Sequence, residues 1–166
     1  MANYDIMCFL EYYADRNSTS SGGFRQPTRK WQNFYQTPQQ FAIDAGIAGT
    51  YTYLAFEVSG FGAVESGAMN DLSINLAAVA DVVDLTQTAM NGDAFVIASL
   101  VIQDIGFNNI DPGSAAIVAS YSGGLHSASI NDTSVSWTVN PMISKTKSQV
   151  PTRKISSSIL AKKQGQ

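Results

Sequence analysis

The chain has 166 residues, enough for one domain, or one domain plus an arm, built on a substantial core. Its 45% apolar content excludes disorder of the whole chain, while its 14% charged content falls well below the ~25% usual in soluble domains. The formal net charge of −3 hides a division: all ten Lys and Arg residues lie in the first thirty or last twenty-two positions, and the 114 residues from Trp31 to Ser144 carry ten carboxylates and no basic side chain. Most soluble domains mix both signs over their surface. A body of one sign and a tail of the other suit a protein that assembles. No apolar run approaches the ~18–20 residues that cross a membrane. The start, MANYDIMCFLEYY, lacks the basic, apolar and small-residue zones of a secretory signal, so synthesis in the cytoplasm is expected.

In chain order, residues 4–13 (YDIMCFLEYY) fit either helical spacing or a buried strand, and length and aromatic enrichment favour the strand. Residues 16–32, with Gly22-Gly23, Pro27 and four basic residues, read as a long interface loop. From Tyr51 a strand alternates Tyr51, Tyr53, Ala55 and Glu57 against Thr52, Leu54, Phe56 and Val58. Leu72, Ile74 and Leu76 point one way in the next strand. Residues 77–90 are the one plausible helix, its apolar stripe Val79, Val82, Val83 and Leu85 or Thr86 opposed by Asp81 and Asp84. Asn91-Gly92-Asp93 marks a turn. AFVIASLVIQDI (94–105) reads as a central strand buried on both sides. Asp111-Pro112-Gly113 marks another turn. AAIVASY (115–121) is a strand that Ser122-Gly123-Gly124 breaks, and SVSWTV (134–139) turns Val135, Trp137 and Val139 inward.

The pattern predicts a mainly β fold: an antiparallel β-sandwich or barrel with one short helix and an extended basic C-terminal arm. Residues 1–44 are expected to form a strand and interface loop packed on a body of 45–141. Residues 142–166 form the arm, whose few apolar anchors cannot alone offset the entropy of ordering it.

Catalytic signals are sparse. His126, the one histidine, follows Ser-Gly-Gly in an expected turn, with Ser122 as the conceivable nucleophile but no nucleophile elbow. Cys8, the one cysteine, sits in an apolar run without a basic neighbour to activate it, which points to core packing and excludes internal disulfides and cysteine metal clusters. Asp81 and Asp84, with Asp71 or Asp93, lack the alternating oxygen ligands of a calcium loop. No phosphate-binding, dinucleotide or zinc-protease motif is present. No enzyme activity, metal or cofactor is expected. The basic arm lacks interleaved aromatic residues and adjoins an acidic body, which favours a strap over an acidic protein neighbour rather than nucleic-acid binding. The many aromatic residues of the N-terminal half suit a core or subunit interface, or the groove of a carbohydrate-binding module.

The order of segments GTYTYLAFEVSGFG, NDLSINLAAVADVV, MNGDAFVIASLVIQDI, IVASY, SVSWTVNP and VPTRKIS resembles the N-terminal hub domain of tailed-bacteriophage minor tail proteins, the group that includes lambda minor tail protein L. The matching residues include Tyr51, Tyr53, Phe56, Gly60, Phe61, Leu72, Ile74, Gly92, Val96, Trp137, Pro141, Pro151 and Arg153, across roughly residues 45–155. That resemblance implies a structural hub at the distal end of a phage tail or baseplate. It would be a trimer adapting a sixfold tail ring to a threefold fibre or spike, around a channel through which DNA passes without specific binding. Expected partners are further copies of itself, tail-tube proteins and fibre or spike proteins, with assembly in the host cytoplasm and residence in the virion. The iron–sulfur cluster of a further domain in lambda-type relatives is not expected, because Cys8 stands alone. Asp81, Asp84, Asp93 and Asp111 are the channel-facing candidates, since an acidic lumen without Lys or Arg lets a polyanion slide. Lys145, Lys147, Arg153, Lys154, Lys162, Lys163, Trp31 and Tyr35 are the subunit-interface candidates. A capsid decoration protein or other virion protein, and a carbohydrate-binding module, are the alternatives.

Overall fold

The structure is a computed structural model that describes residues 4–15, 26–42, 49–61, 70–104, 109–111 and 114–141. The expected arm, 142–166, lies outside the described residues, as do 16–25 of the expected loop. The fold is mainly β. Nine strands form one mixed sheet: β1 (Tyr4–Tyr13), β2 (Arg29–Gln32), β3 (Gln39–Phe41), β4 (Gly49–Tyr53), β5 (Phe56–Ser59), β6 (Leu72–Ala77), β7 (Phe95–Asp104), β8 (Ala116–Ile130) and β9 (Ser134–Pro141), with helix α1 (Ala80–Met90) between β6 and β7. The order is β3-β4-β2-β1-β7-β8-β9-β6-β5. Every pairing is antiparallel except β2 with β4, which run parallel and depart from the expected all-antiparallel arrangement.

The two ends of this sheet meet. β4 and β5 are joined by Leu54 and Ala55 alone, and these two residues face opposite sides: Leu54 donates its backbone N–H to Gln32 O at 3.0 Å, while Ala55 O accepts from Ala77 N at 2.9 Å. One bent segment thus pairs with β2 at one end of the order and β6 at the other. The result is a closed barrel of seven positions, with β3 as a flanking strand. The aromatic contacts require that curvature, because Trp31 of β2 and Trp137 of β9 are four places apart in the sheet yet their rings lie 6.3 Å apart.

Strand alternation assigns the interior. Cys8, Leu10 and Tyr12 of β1, Trp31, Leu54, Phe56, Leu72, Ile74, Leu76, Val96, Ala98, Tyr121, Val135, Trp137 and Val139 share one buried cluster. The inward sets expected for β6 and β9 are therefore observed. Helix α1 leaves β6 and enters β7, spanning one mouth of the barrel with Val82, Thr86 and Ala89 buried. Thr86 Oγ1 accepts the Trp137 indole N–H at 2.9 Å and donates to Val82 O at 2.7 Å, so the deepest indole is satisfied. Val79, expected in the apolar stripe, is exposed at the helix start instead. The opposite face of β1 and β7 builds a second cluster, in which Met7, Phe9, Tyr35, Tyr51 and Val101 pack with Phe41 of β3.

Four sequence expectations change. Arg29–Gln32 is strand β2, because its alternation faces Trp31 into the barrel and Lys30 and Gln32 onto the second layer. Residues 4–13 do not pack on the body but lie inside the sheet, between β2 and β7. Ser122-Gly123-Gly124 does not break its strand: β8 runs through it. At Gly123 a Cβ would stand 2.1 Å from Asn140 O, so glycine is what lets β9 approach. His126 accordingly sits on a strand rather than in a turn, and is exposed.

Candidate functional site

Nine of the eleven described carboxylates gather at the two ends of the barrel; Glu11 is buried in β1 and Glu57 is exposed on β5. At the α1 mouth, Asp81 and Asp84 lie on the exposed face of α1, Asp93 in the exposed turn after it, Asp15 after β1 and Asp132 between β8 and β9. At the far end lie Asp5, Asp71, Asp104 and Asp111. Of the channel-facing candidates, the fold brings Asp81, Asp84 and Asp93 to one mouth and leaves Asp111 at the opposite end of β7, roughly 30 Å away at the rise of a ten-residue strand. Between the ends, the solvent-facing strand positions include Ser73, Asn75, Ser120, Ser136 and Thr138, together with Glu57 and the exposed apolar Tyr53, Ile117 and Val118.

Asp111 is held by three buried glutamines. Gln103 Oε1 accepts the Asp111 N–H at 3.0 Å, Gln39 Oε1 accepts the Ile110 N–H at 3.0 Å, and Gln32 Oε1 accepts the Gln39 N–H at 3.2 Å. The Gln103 amide donates to the Tyr35 hydroxyl. Asp111 O also accepts from Ser114 N at 3.1 Å and Ala115 N at 2.7 Å; Pro112 and Gly113 of the expected turn lie outside the described residues.

Arg29 and Lys30 are the only Lys or Arg among the described residues, against eleven Asp and Glu, a balance of 2 − 11 = −9. Both cations meet carboxylates. Arg29 grips Asp81 through two nitrogens, at 2.9 and 2.8 Å, which holds the Asp81 carboxyl below its usual range and raises the guanidinium. Lys30 Nζ lies 3.3 Å from Glu11 Oε1 and 5.2 Å from the centre of the Tyr51 ring. Glu11 is buried and accepts two further bonds, from Tyr51 Oη at 2.7 Å and Tyr13 Oη at 2.6 Å. This four-residue cluster went unforeseen in the sequence. Its signal is the odd-numbered face of β1, which alternation places opposite Lys30. A shallow groove of about 390 Å³, lined by Pro27, Thr28, Arg29, Lys30, Thr50 and Thr52, runs beside it, and its two cations are both occupied by carboxylates.

Trp31 and Tyr35, expected at a subunit interface, are only 4% and 8% exposed; Trp31 packs in the barrel and Tyr35 in the second layer, so both are taken up by the chain's own core. Lys145, Lys147, Arg153, Lys154, Lys162 and Lys163 lie outside the described residues. Of the N-terminal aromatic residues, Phe9, Tyr12, Tyr13 and Tyr51 are also buried, and Phe34 and Tyr53 are the exposed ones among those described. Burial pushes the Cys8 thiol up to about 12. Burial, helped by the Asp71 carboxylate, pushes the Tyr121 hydroxyl up to about 12, and that hydroxyl lies 3.0 Å from both Asn70 O and Val139 O. Ser122 and His126 share β8, and four residues of strand put them roughly 13 Å apart, beyond proton-transfer reach. No group of three or more His, Cys, Asp or Glu suited to a metal ion occurs among the described residues. Comparison with protein-family models, with curated proteins and with solved structures gave no match to this chain.

Proposed function

We propose that the chain is a structural hub subunit at the distal end of a bacteriophage tail or baseplate, adapting a sixfold ring to a threefold fibre or spike and bordering the DNA channel. The observation that carries this reading is the one-signed body. Its two described cations are neutralised at Asp81 and Glu11, and its other described carboxylates stand at the barrel ends, except Glu57, which is exposed on β5. A surface of this kind repels DNA phosphate, whereas each free Lys or Arg would capture it by releasing counterions. The weakly charged flanks suit packing against neighbouring copies, because interface centres are depleted in charge. Heterologous contacts between such flanks form a ring where the rotation between neighbours closes. In this reading the α1 mouth, with Asp84 and Asp93, faces the channel, and the basic segment after Pro141 straps an acidic neighbour, setting partner choice and on-rate.

The test is charge reversal at that mouth. Particles assembled with Asp84→Lys and Asp93→Lys are expected to form and adsorb normally but to release DNA at least tenfold more slowly at low salt, with the defect relieved as salt rises. Unchanged release at every salt concentration sinks the channel assignment. A chain that never enters particles sinks the hub reading itself.

A further inference from the structure

Helix α1 ends on Asn91-Gly92, the one asparagine–glycine pair in the chain. The other described asparagines precede Phe34, Asp71, Leu76, Ile110, Asp132 or Pro141. The fold does not demand glycine at 92. Its φ lies outside the left-handed region, and the nearest atom an added Cβ would meet is Thr88 O at 3.7 Å, an ordinary contact. What glycine does provide is an unshielded backbone nitrogen directly after an exposed side-chain amide. That amide opens onto a shallow groove of about 410 Å³ lined by Asp84, Gln87, Thr88 and Asn91, so water reaches it. The final turn of the helix holds both groups. Asn91 Nδ2 donates to Gln87 O at 3.2 Å, and the Gly92 N–H donates to Ala89 O at 3.1 Å.

We propose that Asn91 is a site of spontaneous deamidation, gated by fraying of the last turn of α1. The Gly92 nitrogen, its proton given up to solvent base, bonds to Asn91 Cγ; the Cγ–Nδ2 bond breaks and ammonia leaves. Water then opens the five-membered imide at either carbonyl, leaving aspartate or isoaspartate at 91. One water is consumed, one ammonia is released, and nothing is oxidised or reduced. Attack requires both helix bonds to open, because one engages the Gly92 nitrogen and the other anchors the Asn91 amide. Openings at a helix end lie at the low end of local stability. The product suits the helix less well than the amide does. A carboxylate cannot donate to Gln87 O, stands at the negative end of the helix dipole and shares its groove with Asp84. Thr86, buried and bonded to the Trp137 indole, holds the rest of α1, so the loosening stops at the last turn. The inference is independent of the hub reading.

The full-length chain, aged folded at mildly alkaline pH and mapped by mass spectrometry with separation of the two products, tests the site. Aspartate and isoaspartate are expected at 91 ahead of every other described asparagine. Conversion is expected to run about ten- to a hundredfold slower than in the same chain held unfolded in urea. Gly92→Ala, which the backbone accommodates, is expected to slow it at least tenfold in both states. Asn91→Asp is expected to speed hydrogen exchange of the amides from Gln87 to Asn91 while β7 amides hold their protection. A folded chain that stays unconverted over a hundred unfolded-chain half-lives would overturn the site. Equal rates in the folded and unfolded chains would overturn the gating by α1, and unchanged exchange in Asn91→Asp would overturn the effect on its last turn.

Discussion

Glu11 shows how single residues fix this fold. A buried carboxylate is tolerable only when paired and hydrogen-bonded, and Glu11 accepts from Tyr13 and Tyr51 while facing Lys30. The cluster thereby ties β1 to β2 and β4. Glu11→Ala is expected to cost about 3 kcal/mol in urea unfolding, since it strands a half-buried ammonium and two phenols. Glu11→Gln keeps the shape and is expected to cost less. An Ala variant within 1 kcal/mol of the parent, on the scale of an exposed ion pair, would show that the cluster does not stabilise the fold. Asp81 behaves differently because its pair with Arg29 is half-exposed. Asp81→Asn is expected to cost under ~1 kcal/mol near neutral pH. The folded-state Asp81 carboxyl is held down, so its contribution is complete above the ordinary carboxylate range and disappears as pH falls below it. Acid unfolding of the two proteins should therefore converge at low pH, and a constant gap would contradict the assignment.

At the scale of elements, period-two alternation made much of the barrel legible. Leu72, Ile74 and Leu76 and the set Val135, Trp137 and Val139 point inward as their spacing requires. The continuous apolar run of β7 marks a strand between two others, covered on both faces. What local sequence could not supply was long-range. The odd face of β1 is buried only because Tyr51 and Phe41 arrive from some thirty to forty residues away to cover Phe9, with ring centres at 4.9 and 4.7 Å. Short β2 and β3 carry too few residues to show a period, and the Pro and basic residues around 25–30 look like a loop. Ser122-Gly123-Gly124 misleads for a different reason. Glycines usually end strands, but Gly123 instead admits the Asn140 backbone. Gly123→Ala is therefore expected to cost about 1–3 kcal/mol by pushing β8 from β9, read as a lowered unfolding midpoint and faster amide exchange in β9. A neutral Ala substitution would mean that the two strands can separate freely at that point.

For the whole molecule, the fold converts a linear charge split into a spatial one. The sequence already separated an acidic body from basic ends, but could not say that Arg29 and Lys30 would fold back onto Asp81 and Glu11, because those pairs join residues 52 and 19 positions apart. Nor could it say that most carboxylates would gather at the barrel ends and leave Glu57 as the exposed carboxylate of the described strands' middle. Closure of the barrel along Leu54 and Ala55 makes both consequences follow from one topology. The proposed hub role rests on that distribution: ends that repel a polyanion and flanks that can pack. Its most direct test is electron cryomicroscopy of the particle into which the chain assembles. The account predicts copies in a closed ring on the tail axis, weakly charged flanks in contact and the α1 mouth with Asp84 and Asp93 turned to the lumen. Copies scattered over a capsid exterior, or a ring whose lumen is lined by the flanks, would contradict it.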